Sequence, residues 1–258
     1  MSGILQLFAT GSGYSAQALA LFARMSTPPT EARKVLINNA IVALVNAGVW
    51  AKLDALYVTA AADSQAAGLN WLSTSYNLTV NGSPTFTTDR GFNSTLGGST
   101  AYLDTNLNAT SLSQNDLSFS VWYRNPTANA VQYDGADNNT TWAIEIGPRN
   151  TAGNAEGYVN SISAMSAANT TSGLLTTTRT ASTTTALYKN GSSIASGSAA
   201  SVAATSVTLR LLGFVVTPST MKTHAVQEAA AAIGSGLSAQ NALDLYTALQ
   251  AYMTGVGA

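Results

Sequence analysis

Apolar side chains recur at three- and four-residue spacing between about residues 31 and 57, and from about residue 69 they alternate with polar ones instead. That change of period divides the chain. Leu36, Ile37, Ala40, Ile41, Leu44 and Val45 make one helical face behind Thr27-Pro28-Pro29, where a capping hydroxyl precedes prolines whose missing N–H costs nothing in a first turn. Asn46-Ala47-Gly48 reads as a left-handed stop. Val49, Trp50, Leu53, Leu56 and Tyr57 then resume helical spacing, so residues 26–68 are predicted to form a helical hairpin. Farther on, Leu117, Phe119, Val121 and Tyr123 alternate with Ser118, Ser120, Trp122 and Arg124, the pattern of a half-buried strand. Trp142, Ile144 and Ile146 repeat it, as do Leu209 and Leu211, and Asn190-Gly191 sits where a two-residue hairpin turn belongs. After Ser238, a good cap, Ala242, Leu243, Tyr246, Leu249 and Met253 share a face of a terminal helix closed by Gly255 and Gly257.

Three segments follow: an N-terminal arm over residues 1–25, with a short helix expected over Gln17–Arg24; the helical hairpin over 26–68; and a β-rich body over 69–258 that ends in a helix. Many short strands separated by turn residues predict a mainly β fold, an antiparallel sandwich rather than βαβ units. Trp50 and Trp71 are expected to join the helices to the sandwich.

Composition narrows the function. Charged residues are 9 % of the 258, and the net charge of -1 leaves no electrostatic footprint for nucleic acid or an anionic membrane. With 46 % hydrophobic residues the chain has the means to fold. The absence of Cys removes disulfides and thiolate sites, and a single His, His224, precludes a multi-histidine metal site. No stretch approaches the roughly 18 apolar residues that span a bilayer. The first basic residue is Arg24, so Met1–Phe8 has no positive region ahead of its apolar stretch, and synthesis in a cytoplasm without secretion is the expectation.

Several segments together carry a family resemblance. Asp89-Arg90-Gly91-Phe92, Tyr102-Leu103-Asp104-Thr105, Leu117 to Arg124, Ala186-Leu187-Tyr188-Lys189-Asn190-Gly191 and Leu209-Arg210-Leu211-Leu212-Gly213 follow one another as in concanavalin A-like, laminin-G-like jelly rolls. With the lead-in Val49 to Tyr57 and the finish Ile233-Gly234-Ser235-Gly236-Leu237-Ser238, the chain resembles structural proteins of tailed bacteriophages and prophages that carry such a domain. The resemblance covers about residues 26–258. It implies a non-enzymatic virion component, a fibre, spike or decoration subunit made in the host cytoplasm. Its N-terminal region would contact other virion proteins, and it would be a homo-oligomer, trimeric by analogy with fibres, with a host-surface glycan as candidate ligand. A carbohydrate-binding adhesin is the alternative, and a polysaccharide depolymerase the third reading.

Individual residues test these readings. A glycosidase needs two carboxyls about 5 to 9 Å apart; the hydrolases of this fold place them on one strand, whereas the strand around Ile144 offers Glu145 alone, with Glu156 beyond a turn. His224 lacks a nucleophile elbow nearby and reads as a surface or strand-end residue. Tyr133 to Thr140 is dense in oxygen ligands: Asp134, Asp137 and Asn138 suit either Ca²⁺, the one cofactor considered, a sugar, or an ordinary turn. Trp122, pointing away from Phe119 and Val121, either stacks on a sugar or lies under the terminal helix. These four residues are the candidate contacts; catalytic and metal residues are not assigned.

Overall fold

The computed structural model describes residues 13–94, 100–126, 133–138, 140–169, 171–216 and 220–258. Its body is a mainly β sandwich of two antiparallel sheets. In the first, eight-stranded sheet the order is Ser192–Gly197, Thr184–Lys189, Gly173–Ala181, Leu117–Arg124, Gln227–Gly234, Gly91–Asn93 and Thr85–Thr87, with Leu53–Tyr57 also paired to Gln227–Gly234. In the second, nine-stranded sheet it is Met165–Ala168, Asn154–Val159, Ala143–Gly147, Asp134–Asp137, Thr208–Leu211, Tyr102–Asn108 and Thr79–Asn81. A hairpin of Gly213–Val216 and Thr220–Thr223 branches from it, and Gly213–Val216 runs parallel to Asp134–Asp137.

Alternation sets what each face meets. Phe119, Val121 and Tyr123 point between the sheets with Ile144, Ile146, Leu209 and Leu211, and all are buried. From the other side of the first sheet, Trp122, Leu174, Ala230 and Ala232 meet Ile37, Ile41 and Leu44 of α2 (Glu31–Asn46) and Leu245, Leu249 and Tyr252 of α4 (Ala239–Gly255). The molecule therefore has three layers, helices, first sheet and second sheet. A short helix, α1 (Ala16–Phe22), lies against α2, with Leu21 buried in the helical layer, and a single helical turn, α3 (Ser64–Ala67), follows the strand Leu53–Tyr57.

Most of the alternating segments are strands as predicted, and Ser238 caps α4: its hydroxyl accepts from Asn241 N and its own N–H donates to Asn241 Oδ1. Asn190 and Gly191 have φ of 50° and 77°, the left-handed pair of a two-residue hairpin. A Cβ on Gly191 would lie 2.6 Å from Leu243 Cα, so the turn's glycine also lets α4 dock. The second half of the predicted helical hairpin is different. After a single 3₁₀ turn at Trp50–Lys52, Leu53–Tyr57 is a strand paired on one side with Gln227–Gly234 of the first sheet. Leu53 and Leu56 join the helical layer while Ala55 and Tyr57 join the sandwich core. A short run buried on both faces carries apolar residues almost continuously, and its period cannot separate strand from helix.

Candidate functional site

Two polar clusters lie on opposite sides of the second sheet, and alternation along one strand separates them. Asp134 and Ala136 pair with Ile146 and Ile144 and face the core; Gly135 and Asp137 face outward. The segment expected to be an oxygen-rich loop is in this way largely a strand, Asp134–Asp137. Its two carboxyl groups point to opposite faces and cannot converge on one calcium ion.

Inside the sandwich, Asp134 is fully buried and accepts from Tyr123 Oη, from Gly213 N at 3.0 Å and from His224 Nε2 at 3.0 Å. Glu228 Oε1 accepts from Leu212 N at 2.8 Å and lies 3.3 Å from the same ring nitrogen. His224, expected near the surface, is instead fully buried, because its partner Asp134 lies 90 positions away and no local pattern announces it. Burial first, and then the charge of Asp134, push the Glu228 carboxyl well above the usual carboxylate range. Burial also raises the Tyr123 phenol. Asp134, His224 and Glu228 have the residue types of a metal centre, with ligand atoms within 4.8 Å of one another. The proton placement argues against that role. Val226 N donates to His224 Nδ1 at 3.2 Å, so the ring's hydrogen sits on Nε2, where a cation would have to bind. The cluster ties the two sheets together with hydrogen bonds and is closed to solvent.

Among the described residues no helix packs on the outer face, where Asp137, Tyr158 and Lys222 reach solvent in part and Phe214 is buried. Glu145 stands opposite Gly135 on one side and Tyr158 on the other, with Glu156 one step along beside Gly147. Phe214 also flanks Gly135 and pairs with Lys222. Pairing alone thus brings Asp137, Glu145, Glu156, Tyr158, Phe214 and Lys222 to one surface. Tyr133, just ahead of its strand, leans over it: its ring centre is 6.1 Å from that of Tyr158 and 5.9 Å from that of Phe214, both near edge-on, and its hydroxyl donates to Glu156. The Lys222 ammonium sits 5.6 Å from the Phe214 ring centre. Glu156 also accepts from Asn150 Nδ2 at 2.8 Å.

Glu145 is the unusual member. It is 6 % exposed, its carboxyl is hydrogen-bonded to Asp137, and its Oε1 has no partner. Burial, reinforced by Asp137 and opposed by Lys222, pushes it well above the ordinary range. Burial and the neighbouring Glu156 raise the Tyr158 phenol to about 12. Along its own strand Glu145 is a solitary acid; the register supplies companions on the two flanking strands. They are not a hydrolase pair, however. Two carboxyls in direct hydrogen-bond contact leave no room for a scissile bond, which needs about 5 Å or more between them. Glu156, for its part, is held by Tyr133 and Asn150.

The remaining sequence candidates fall elsewhere. Trp122 is 6 % exposed and stacks on Tyr246 of α4, ring centres 5.7 Å apart at 14°, so its face is covered by the terminal helix. Asn138 is a turn residue whose Oδ1 accepts from the backbone N–H groups of Thr140, Thr141 and Trp142. Of the four, Asp137 alone belongs to the outer-face cluster. Its aromatic and acidic companions were missed because strand register over loops of unequal length decides which residues meet, and no short motif records that.

By sequence, no family model and no curated protein matches the chain. Solved structures do match its fold. Domain 4 of AbnA, an extracellular GH43 arabinanase from Geobacillus stearothermophilus, determined in complex with arabinotriose, is 18 % identical with a TM-score of 0.50, and the match covers 75 % of this chain and 98 % of that one. The ligand-binding domain of botulinum neurotoxin serotype D in complex with N-acetylneuraminic acid is 15 % identical with a TM-score of 0.55, over 78 % of this chain and 52 % of that one. A botulinum neurotoxin type C structure, described as entering cells through two ganglioside molecules, is 12 % identical with a TM-score of 0.54, over 80 % and 53 %. The chain spans about half the length of the neurotoxin structures. At these identities the likeness is one of fold, a β-sandwich shared with carbohydrate-binding domains.

Proposed function

We propose that this chain is a non-enzymatic carbohydrate-binding module that takes saccharide on the outer face of its second sheet. The observation that carries the reading is the clustering there of two partly exposed rings, Tyr133 and Tyr158, backed by the buried Phe214, with carboxyl acceptors and an ammonium, on a face that no helix covers among the described residues. Apolar ring surface packs on the C–H face of a pyranose, and a few fixed polar groups beside it read the hydroxyls. Neighbours of the same fold that hold arabinotriose and N-acetylneuraminic acid support it by analogy. A glycan array probed with the full chain is expected to give defined hits, and Tyr158→Ala is expected to lower affinity for them about tenfold. An array with no hits for the folded protein overturns the reading.

A display role on a phage particle, as a symmetric oligomer, is supported by the order of the jelly-roll motifs and by one geometric fact. Residues 1–12 lie outside the described residues; the N-terminal helix Ala16–Phe22 packs in the helical layer, on the side of the first sheet away from the second. An N-terminal attachment would then leave that face turned outward. Removal of residues 1–12 is expected to preserve folding and glycan binding but prevent incorporation into particles; normal incorporation would remove this placement.

A further inference from the structure

The outer face also carries a charge signature. Asp137, Glu145 and Glu156 stand there beside the ammonium of Lys222, while Arg210, which also borders Gly135, is ion-paired with Asp104. Two features point to a donor-bearing ligand rather than to an idle acidic patch. Glu145 Oε1 is a buried acceptor with no partner, on a side chain whose neighbours Ile144 and Ile146 fix it toward the outer face. The rings beside it already hold one cation, since Lys222 lies over Phe214. Aromatic faces attract cations, and an unsatisfied buried oxygen gains most from a charged donor. A carboxylate brought to the same place would meet like charges in a partly desolvated setting.

Building on the saccharide-binding reading of this face, we infer that it selects amino sugars: saccharides with a free protonated amine are preferred to neutral ones, and those bearing carboxylates are rejected. The amine would donate to Glu145 and Asp137 while the ring carbons rest against Tyr158. A neutral sugar offers only hydroxyl donors to the same oxygens and binds more weakly.

Calorimetric titration of the full chain with the trimers of glucosamine, N-acetylglucosamine and galacturonic acid tests this. The glucosamine trimer is expected to bind about tenfold tighter than the N-acetylated one, an advantage that shrinks as salt rises, and the galacturonic acid trimer is expected not to bind. Asp137→Asn with Glu156→Gln should abolish the amine preference while the N-acetylated trimer still binds. Lys222→Gln, a change at an exposed residue that spares the fold, should widen it. Equal affinity for the amino and N-acetylated trimers, or a preference unmoved by both variants, overturns the inference. Tighter binding of the galacturonic acid trimer overturns it too, but leaves a saccharide site in place. If none of the three binds, the amino-sugar inference falls, and the glycan array decides whether the saccharide reading falls with it.

Discussion

Asp134 shows how far a single side chain reaches in this fold. It gathers a phenol, a backbone amide and an imidazole from three separate segments, and it is fully buried. Asp134→Asn turns one of its acceptor oxygens into a donor facing donors, and it is expected to cost about 3 kcal/mol, read as a lower midpoint in urea unfolding. Glu228 gives a prediction with a sign. Its carboxyl is held protonated in the folded chain and titrates in the ordinary range when unfolded. The native state therefore binds the extra proton, and this group's contribution is fully present at acid pH and is lost as pH climbs above the ordinary carboxylate value. Glu228→Gln mimics the protonated form. Its melting temperature relative to the parent is expected to rise as pH climbs above about 5; a difference that falls with pH would contradict the assignment. None of this was legible in the sequence, because Thr223-His224-Ala225 has no periodic signal and its partner comes from a distant strand.

A strand whose two faces differ in polarity and a terminal helix were readable; a strand apolar on both faces was not. Leu117–Arg124 announced itself by alternation and α4 by its cap and apolar face. Leu53–Tyr57 hid because helices cover one side of it and the opposing sheet the other. Asp134–Asp137 hid because Asp, Gly and Asn are also turn residues, and here Gly135 serves close strand pairing: a Cβ would come 2.0 Å from Ile144 O. Trp122 gives the test at this scale. Trp122→Ala empties the contact with Tyr246 under α4 and should cost about 3–5 kcal/mol, seen as a lower melting temperature. Below that temperature, saccharide affinity should be unchanged. A loss of binding without loss of stability would move the site to the helical side.

At the scale of the whole molecule, the layer order decides where the proposed site can lie. Helices seal one sheet, so its outward tryptophan becomes core; on the other sheet's outer face, where no helix packs among the described residues, register assembles rings and acids from five strands and the residue ahead of one of them. Sequence showed the architecture and one member of that face as a candidate, Asp137, while the site as a set exists only once the strands are paired. The account stands on the claim that this open face is where saccharide binds. Amide shift mapping of the isotope-labelled chain during titration with the glucosamine trimer measures it directly. Shifts centred on residues 133–137, 145, 156–158, 214 and 222 are the expected result; shifts centred on α2, α4 or Trp122 would contradict it.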